Sequence, residues 1–269
     1  MAKLIMVEIH SNGVADVRLN RVEKYNALSP EMFDAITETG EMLSANNSIR
    51  AIVLSGNGRG FCAGLDFDGF QNILGSNKSS ITTKSFVSDT TPGNPAQKIS
   101  MVWKCAPVPV IAALHGVSFG GGFHLALGAD IRIAAPDAKF SIKEVEWGLI
   151  PDCGITQTLR ELIPIDVAKE LTFTGRTFGG EEALRLGIVT QISDSPLKSA
   201  LNMAELIATK SPNAIRESKE LFEATWHGTR NAGLALEEKL QKRLIGSPNQ
   251  IETVKANFEK RSPQHIDPE

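Results

Sequence analysis

The chain has 269 residues, 42% of them hydrophobic and 22% charged, with a formal net charge of −3. That length suffices for one large core or a core with an extension, and the slight acidity offers no basic footprint for nucleic acid. Three cysteines, Cys62, Cys105 and Cys153, stand at no metal-binding or redox spacing, which points to reduced thiols in a cytoplasmic protein. No run approaches the roughly 20 apolar residues of a membrane span. The opening MAKLIMVEIH is broken by Glu8 too early for a signal-peptide core.

In chain order, residues 6–10 and 14–19 have β character and flank Asn12-Gly13, a hairpin signal. Ser29-Pro30-Glu31 supplies a cap, a proline at the first helical position and an acid in the first turn. Met32, Ile36 and Leu43 then fall on one helical face. Residues 51–54 predict a strand that runs into the glycine-rich turn SGNGRGFCAGLD, residues 55–66. From 67 to 100 the chain turns polar, and a polar stretch that long inside a compact domain is usually functional or mobile. Residues 97–105 predict a helix ending before Pro107. An apolar, β-branched strand, 108–114, ends at His115-Gly116; Gly120, Gly121 and Gly122 follow, then a helix-compatible run from Phe123 to Leu127.

Residues 130–134 and 139–142 predict two further strands joined through Pro136-Asp137. Gly148 and Pro151 disfavour one helix from Glu144 to Asp152; a folded-back loop there would bring both carboxylates to one pocket, and the alternative leaves one or both at the surface. Residues 155–162 and 166–173 read as helices separated by Pro164. A short helix, 181–186, is closed by Gly187, and 188–192 predicts a last strand. From Pro196 strand signals stop, and helices are expected at 197–209, 212–226, 231–244 and 250–260. The body is therefore α/β and the tail all-helical.

Two strands thus end in turns of glycine and other small residues. A strand entering a helix through glycines leaves N–H groups unpaired at the helix start. With no Cβ in the way a ligand atom comes close to them, and the helix dipole is positive there. Such a point holds an anion or a developing oxyanion. A single turn of this kind reads equally well as close helix–strand packing; two can each offer one N–H to the same carbonyl oxygen.

At NRVEKYNALS (20–29), GRGFCAGLD (58–66), HGVSFGGGFHLALGADIRIA (115–134) and TGRTFGGEEALRLGIV (174–189) the sequence resembles the crotonase superfamily, the enoyl-CoA hydratase/isomerase proteins. The motifs keep the family order over nearly the whole chain. The resemblance implies an α/β spiral of ββα turns over residues 1–195, and a C-terminal helical segment, 196–269, that packs subunits into trimers or dimers of trimers. It implies an acyl-CoA substrate whose coenzyme A is part of the substrate and not a cofactor, with no metal and no membrane partner. It assigns the backbone N–H groups of Leu65 and Gly121 to an oxyanion hole. It places Lys24, Ala27, Ala63, Gly64, Asp66, Gly122 and Lys260 where the family binds substrate or coenzyme A. Phe67, Phe70, Ile73, Leu74 and Phe86 become either a variable acyl-pocket wall or anchors for the polar stretch.

Glu144 aligns with the glutamate that many members use for proton transfer, and Asp152 with a second acid typical of dienoyl-CoA isomerases. Without that alignment either reads as a surface carboxylate. The sequence departs from the pattern at His124, where hydratases carry glutamate and dienoyl-CoA isomerases aspartate. The dipole of the following helix is expected to disfavour imidazolium there, leaving a neutral ring to orient Glu144, hold a water or fill space. The expected activity is double-bond isomerisation of an unsaturated acyl-CoA, Glu144 taking a proton from one carbon and Asp152 managing its return farther along.

Three other functions fit the residues: hydration of a 2-enoyl-CoA, acyl-CoA binding without catalysis, and serine hydrolysis. The last rests on GVSFG (116–120), a G-x-S-x-G match with Ser118 as nucleophile and His227 or His265 as its base. A dinucleotide fingerprint at Gly56, Gly58 and Gly60 fails because residue 61 is Phe.

Overall fold

The computed structural model describes residues 3–66 and 93–269. The five apolar residues expected in a variable acyl wall, Phe67 to Phe86, lie outside the described residues. The first hairpin forms as its Asn-Gly signal predicts: β1 (Ile5–Ile9) pairs antiparallel with β2 (Val14–Leu19). Helix α1 (Pro30–Ser44) starts where Ser29 accepts from the Met32 N–H, and it buries Met32, Phe33, Ile36 and Leu43. Strand β3 (Ala51–Gly56) follows, and then α2 (Pro95–Lys104), capped reciprocally by Asn94 and Gln97.

The middle of the chain alternates between two sheets. β4 (Val110–Leu114) joins the large sheet and β5 (Val117–Phe119) the small one; α3 (Gly121–Leu127) follows. β6 (Ile131–Ala134) returns to the large sheet and β7 (Lys139–Ser141) to the small. Helices α4 (Ile155–Thr158) and α5 (Ile165–Thr174), strand β8 (Phe178–Gly179), α6 (Gly180–Leu186) and β9 (Gln191–Ile192) complete this part. Four helices close the chain: α7 (Pro196–Ala208), α8 (Pro212–Thr225), α9 (Arg230–Leu244) and α10 (Pro248–Glu259). The large sheet runs β1-β2-β3-β4-β6-β9, parallel apart from β1, and the small one β5-β7-β8. This is the expected α/β spiral, each turn stepping from one sheet to the other and back through a helix.

The central strands read as apolar runs because both faces of the large sheet are covered. Alternate residues separate the two sides. Ile52, Leu54, Val110, Ala112 and Leu114 face the main core with Trp103, Phe61, Phe123 and Phe140. Ala51, Val53, Ile111, Ala113 and Ile133 face Ala200 and Ala204 of α7. The first helix past residue 196 is thus the outer cover of the sheet. Phe123, Phe140 and Phe178 pack with ring centroids 5.7–5.9 Å apart and lock the small sheet to α3.

Three expectations change. β5 and β8 fall where only turns were expected, since strands of three and two residues carry no readable alternation. Of the strand expected at 188–192 only Gln191–Ile192 forms, because the Ile188 and Val189 N–H groups turn back to the Ala183 carbonyl, at 2.9 and 3.2 Å. The helix expected at 155–162 is α4 followed by a 3-10 turn, Leu159–Glu161.

Candidate active site

The floor of the site is the loop after β2, and Asn26 is its hub. Asn26 is fully buried with φ +56°. Its Nδ2 donates to the carbonyls of Asn57, Gly60 and Phe61, each at 3.0 Å, while its Oδ1 accepts from the Arg21 N–H at 2.8 Å. The two N–H groups of one amide are thus shared among three carbonyls of the glycine turn and tie the 20–29 segment to it. Next to this hub the Leu28 N–H donates to Gly64 O at 2.8 Å and the Asp66 N–H to Leu28 O at 3.1 Å. In a parallel bridge of this kind the residue between those bonds turns its own N–H the other way. That residue is Leu65. Among the described residues its N–H has no backbone acceptor.

The second glycine turn lies against the first. Cys62 N–H donates to Val117 O at 3.0 Å and Phe119 N–H to Cys62 O at 3.0 Å. Gly64, at φ +89°, leaves no room for a side chain: a Cβ there would stand 2.7 Å from Phe119 O. Gly120, at φ +50°, opens α3, and the Gly121 N–H at the first helical position likewise finds no backbone acceptor among the described residues. A Cβ on Gly120 would meet Glu144 Oε1 at 3.0 Å, so the carboxyl rests against this turn.

Glu144 begins a 3-10 turn, Glu144–Trp147, that ends at left-handed Gly148, and its carbonyl accepts from the Leu149 N–H at 3.0 Å. The chain then folds back through Ile150 and Pro151 to Asp152 and Cys153. Ser100 of α2 pins this return by donating to Cys153 O at 2.7 Å. The folded-back loop expected from Gly148 and Pro151 is present, and both carboxylates line the same cavity, about 650 Å³ in volume.

Lys24, Ala27, Ala63, Gly64, Leu65, Asp66, Gly121, Glu144 and Asp152 line that cavity together, joined by Tyr25, Leu28, Trp147 and Cys153. Asp66 also pairs with Arg21 Nη1 at 2.5 Å, which places its charge at the loop hinge. Gly122 and Lys260 are not brought there. Gly122 packs against Cys62, where a Cβ would meet the Cys62 carbonyl oxygen at 2.5 Å. Lys260 is exposed at the end of α10, with φ +53°.

His124 sits behind Glu144 and is fully buried, its Nε2 3.7 Å from Glu144 Oε1. Burial pushes its pKa down to about 3. Desolvation therefore keeps the ring neutral, in the direction expected of it. Burial also pushes the Glu144 carboxyl up to about 7; its own backbone N–H opposes the shift in part, and the nearby Asp152 charge adds to it. The Cys153 thiol is held well above its ordinary value by burial first and then by the Asp152 and Glu144 charges, so it is a neutral S–H donor, 3.6 Å from Asp152 Oδ1.

Ser118 is no nucleophile elbow. It lies in the middle of β5, 1% exposed, and donates to Gly122 O at 3.3 Å. His227 pairs with Glu161 and His265 with Thr253, so each is engaged elsewhere.

A family model described as enoyl-CoA hydratase/isomerase matches residues 9–268. The chain belongs to this family. It is 30% identical to the mitochondrial methylglutaconyl-CoA hydratase of Mus musculus over 268 residues, covering 96% of this chain and 81% of the relative. It is 33% identical to the mitochondrial Delta(3,5)-Delta(2,4)-dienoyl-CoA isomerase of Mus musculus over 269 residues, covering 97% and 81%. Among solved structures, an enoyl-CoA hydratase from Bacillus anthracis superposes with a TM-score of 0.85 at 30% identity, covering 98% of this chain and 99% of that one. The fold is the crotonase fold, and the family acts on acyl-CoA thioesters.

Proposed function

We propose that the protein moves a double bond along an unsaturated acyl-CoA, without adding water. The observation that carries this reading is the pair of carboxyls on one cavity, Glu144 and Asp152, beside a third buried group, His124, that bears no charge. In this reading the thioester oxygen lies between the Leu65 and Gly121 amides, which have no backbone acceptor among the described residues and so suit a growing negative charge. Glu144, resting on Gly120, stands beside the carbon next to that carbonyl and takes its proton. The electron pair spreads into the chain, the abstracted proton passes from Glu144 to the ionised Asp152, and Asp152 returns it farther along. The bond shifts, the proton count is unchanged, and no water is consumed. A carboxyl whose affinity for protons is near neutrality both accepts and releases one readily.

Hydration of a 2-enoyl-CoA is the second reading, favoured by the hydratases among the similar proteins. It asks for a water held at the neighbouring carbon, and His124 offers no second carboxylate for that purpose. The two separate on rates with 3,5-dienoyl-CoA, 3-enoyl-CoA and 2-enoyl-CoA for wild type, Glu144→Gln and Asp152→Asn. Isomerisation predicts loss of dienoyl turnover in both variants. Fast hydration by the Asp152→Asn protein would overturn the proposal, and tight acyl-CoA binding with no turnover of any ester would make the protein a binder.

Self-association as a trimer or dimer of trimers is proposed for the same chain. Phe222 and Trp226, stacked edge to face at 6.0 Å, and Phe258 at the end of α10 are large apolar groups left exposed on the C-terminal helices. Sedimentation of the intact protein tests it.

A further inference from the structure

Inside the site one pair of groups is left unsatisfied. Both ring nitrogens of His124 and Oε2 of Glu144 are buried without a hydrogen-bond partner among the described residues. A buried polar atom without a partner is destabilising, and here three lie together. The two side chains come closest through the other carboxyl oxygen, Nε2 to Oε1 at 3.7 Å, which is beyond hydrogen-bond reach. It is within a small side-chain rotation of it, and contacts used in proton transfer are often long until substrate is bound. Glu144 lines the cavity and His124 does not, so an occupant meets the carboxyl and leaves the ring covered.

We propose that His124 is a positioning residue for Glu144, an uncharged partner that closes onto Oε1 when the cavity fills and holds the carboxyl in line for proton transfer. It rests on the reading of Glu144 as the group that moves the proton. The chemistry suits a neutral imidazole, which carries one N–H and one lone pair. The tautomer with hydrogen on Nε2 donates to a carboxylate; the other accepts from a carboxylic acid. Either protonation state of Glu144 therefore finds a partner without a second negative charge entering the site. The ionisable groups facing Glu144 are His124 from α3, and Asp152 and Cys153 from the returning loop; Cys62 lies behind the ring's helix at Gly122.

The test reads the pair directly. Carbon-13 labelling of the glutamates gives the titration of the Glu144 carboxyl, assigned by its disappearance in Glu144→Gln, in wild type and in His124→Leu, His124→Gln and His124→Asn. Gln places an amide nitrogen near Nε2 and Asn near Nδ1. With a non-reacting acyl-CoA thioester filling the cavity, the expected result is a Glu144 midpoint about one pH unit higher in His124→Leu than in wild type, because the donor to the charged form is gone. The same variant loses about tenfold in kcat with KM within about twofold. Gln restores most of both, and Asn does not. An unmoved midpoint with kcat retained in His124→Leu reduces the ring to a space-filler and overturns the proposal. Should Leu fail to fold, equal behaviour of Gln and Asn overturns it as well. If the midpoint moves while the wild type turns over no enoyl thioester, the positioning role stands and the isomerase reading falls.

Discussion

The two walls of the cavity are built from different materials. One wall is main chain: the loop at Ala63 to Leu65 and the turn at Gly120 and Gly121, fastened by hydrogen bonds between Leu28, Gly64, Cys62, Val117 and Phe119. The other is side chain: Glu144, Asp152 and Cys153, backed by His124. The first has no titratable part, and its geometry is set by positions where a Cβ does not fit. The second owes its behaviour to burial, which shifts Glu144 and His124 in opposite directions so that both favour the neutral form. Rigid placement and tunable protonation are thus assigned to separate stretches of chain, which touch where Glu144 rests against Gly120.

The largest effect is expected on the side-chain wall. Glu144→Gln keeps the shape and removes the acceptor, and turnover of the best enoyl ester should fall about 10³-fold in steady-state assays. Next comes the main-chain wall. Gly64→Ala forces a methyl to within 2.7 Å of Phe119 O at a φ that alanine avoids. The loops must part, and kcat should drop about 10²-fold while the Glu144 titration stays in place. A shifted titration in that variant would show that the walls are coupled.

The pH response belongs to the side-chain wall alone. Because the acceptor must be ionised, kcat/KM should fall about tenfold per pH unit below about 7, and this limb should vanish in Glu144→Gln. Stability runs the other way. The folded carboxyl keeps its proton up to about 7, whereas the unfolded one releases it near 4.5. The folded state holds more protons between those values, so stability declines as pH rises through the window and levels off above it. Glu144→Gln should therefore unfold with about 3 kcal/mol more stability than wild type at pH 8 and with no difference at pH 4, by urea titration. The smallest effect is expected for Ser118→Ala, which loses one buried hydrogen bond worth about 1 kcal/mol and leaves turnover unchanged.

Much of the main-chain wall was legible in the sequence. Glycines at the ends of apolar runs, the Ser29 cap and the four ordered motifs located both turns and the floor loop. Gly148 and Pro151 announced the fold-back that carries Asp152. The side-chain wall was less readable, because burial is a property of the assembled fold. Nothing local to His124 says that burial keeps its ring neutral, and nothing near Cys153 places it against Gly121, 3.6 Å from where a Cβ would stand. Gly122 looked like its neighbours in a run of three but turns its bare side to Cys62. Within the 20–29 motif nothing marks Asn26 as a hub. An asparagine ahead of a helix cap is commonplace, and only the tertiary fold brings three carbonyls to its amide.

That amide makes the site dependent on a single nitrogen. Hydrolysis of Asn26 to aspartate changes one NH₂ to an oxygen, and in the ionised form three attractive contacts become three repulsions inside a dry core. Such damage would leave every reacting group chemically intact while dissolving the frame that aligns them. The variant Asn26→Asp is therefore expected to lose activity by loosening at its floor, well away from the carboxyls of Glu144 and Asp152.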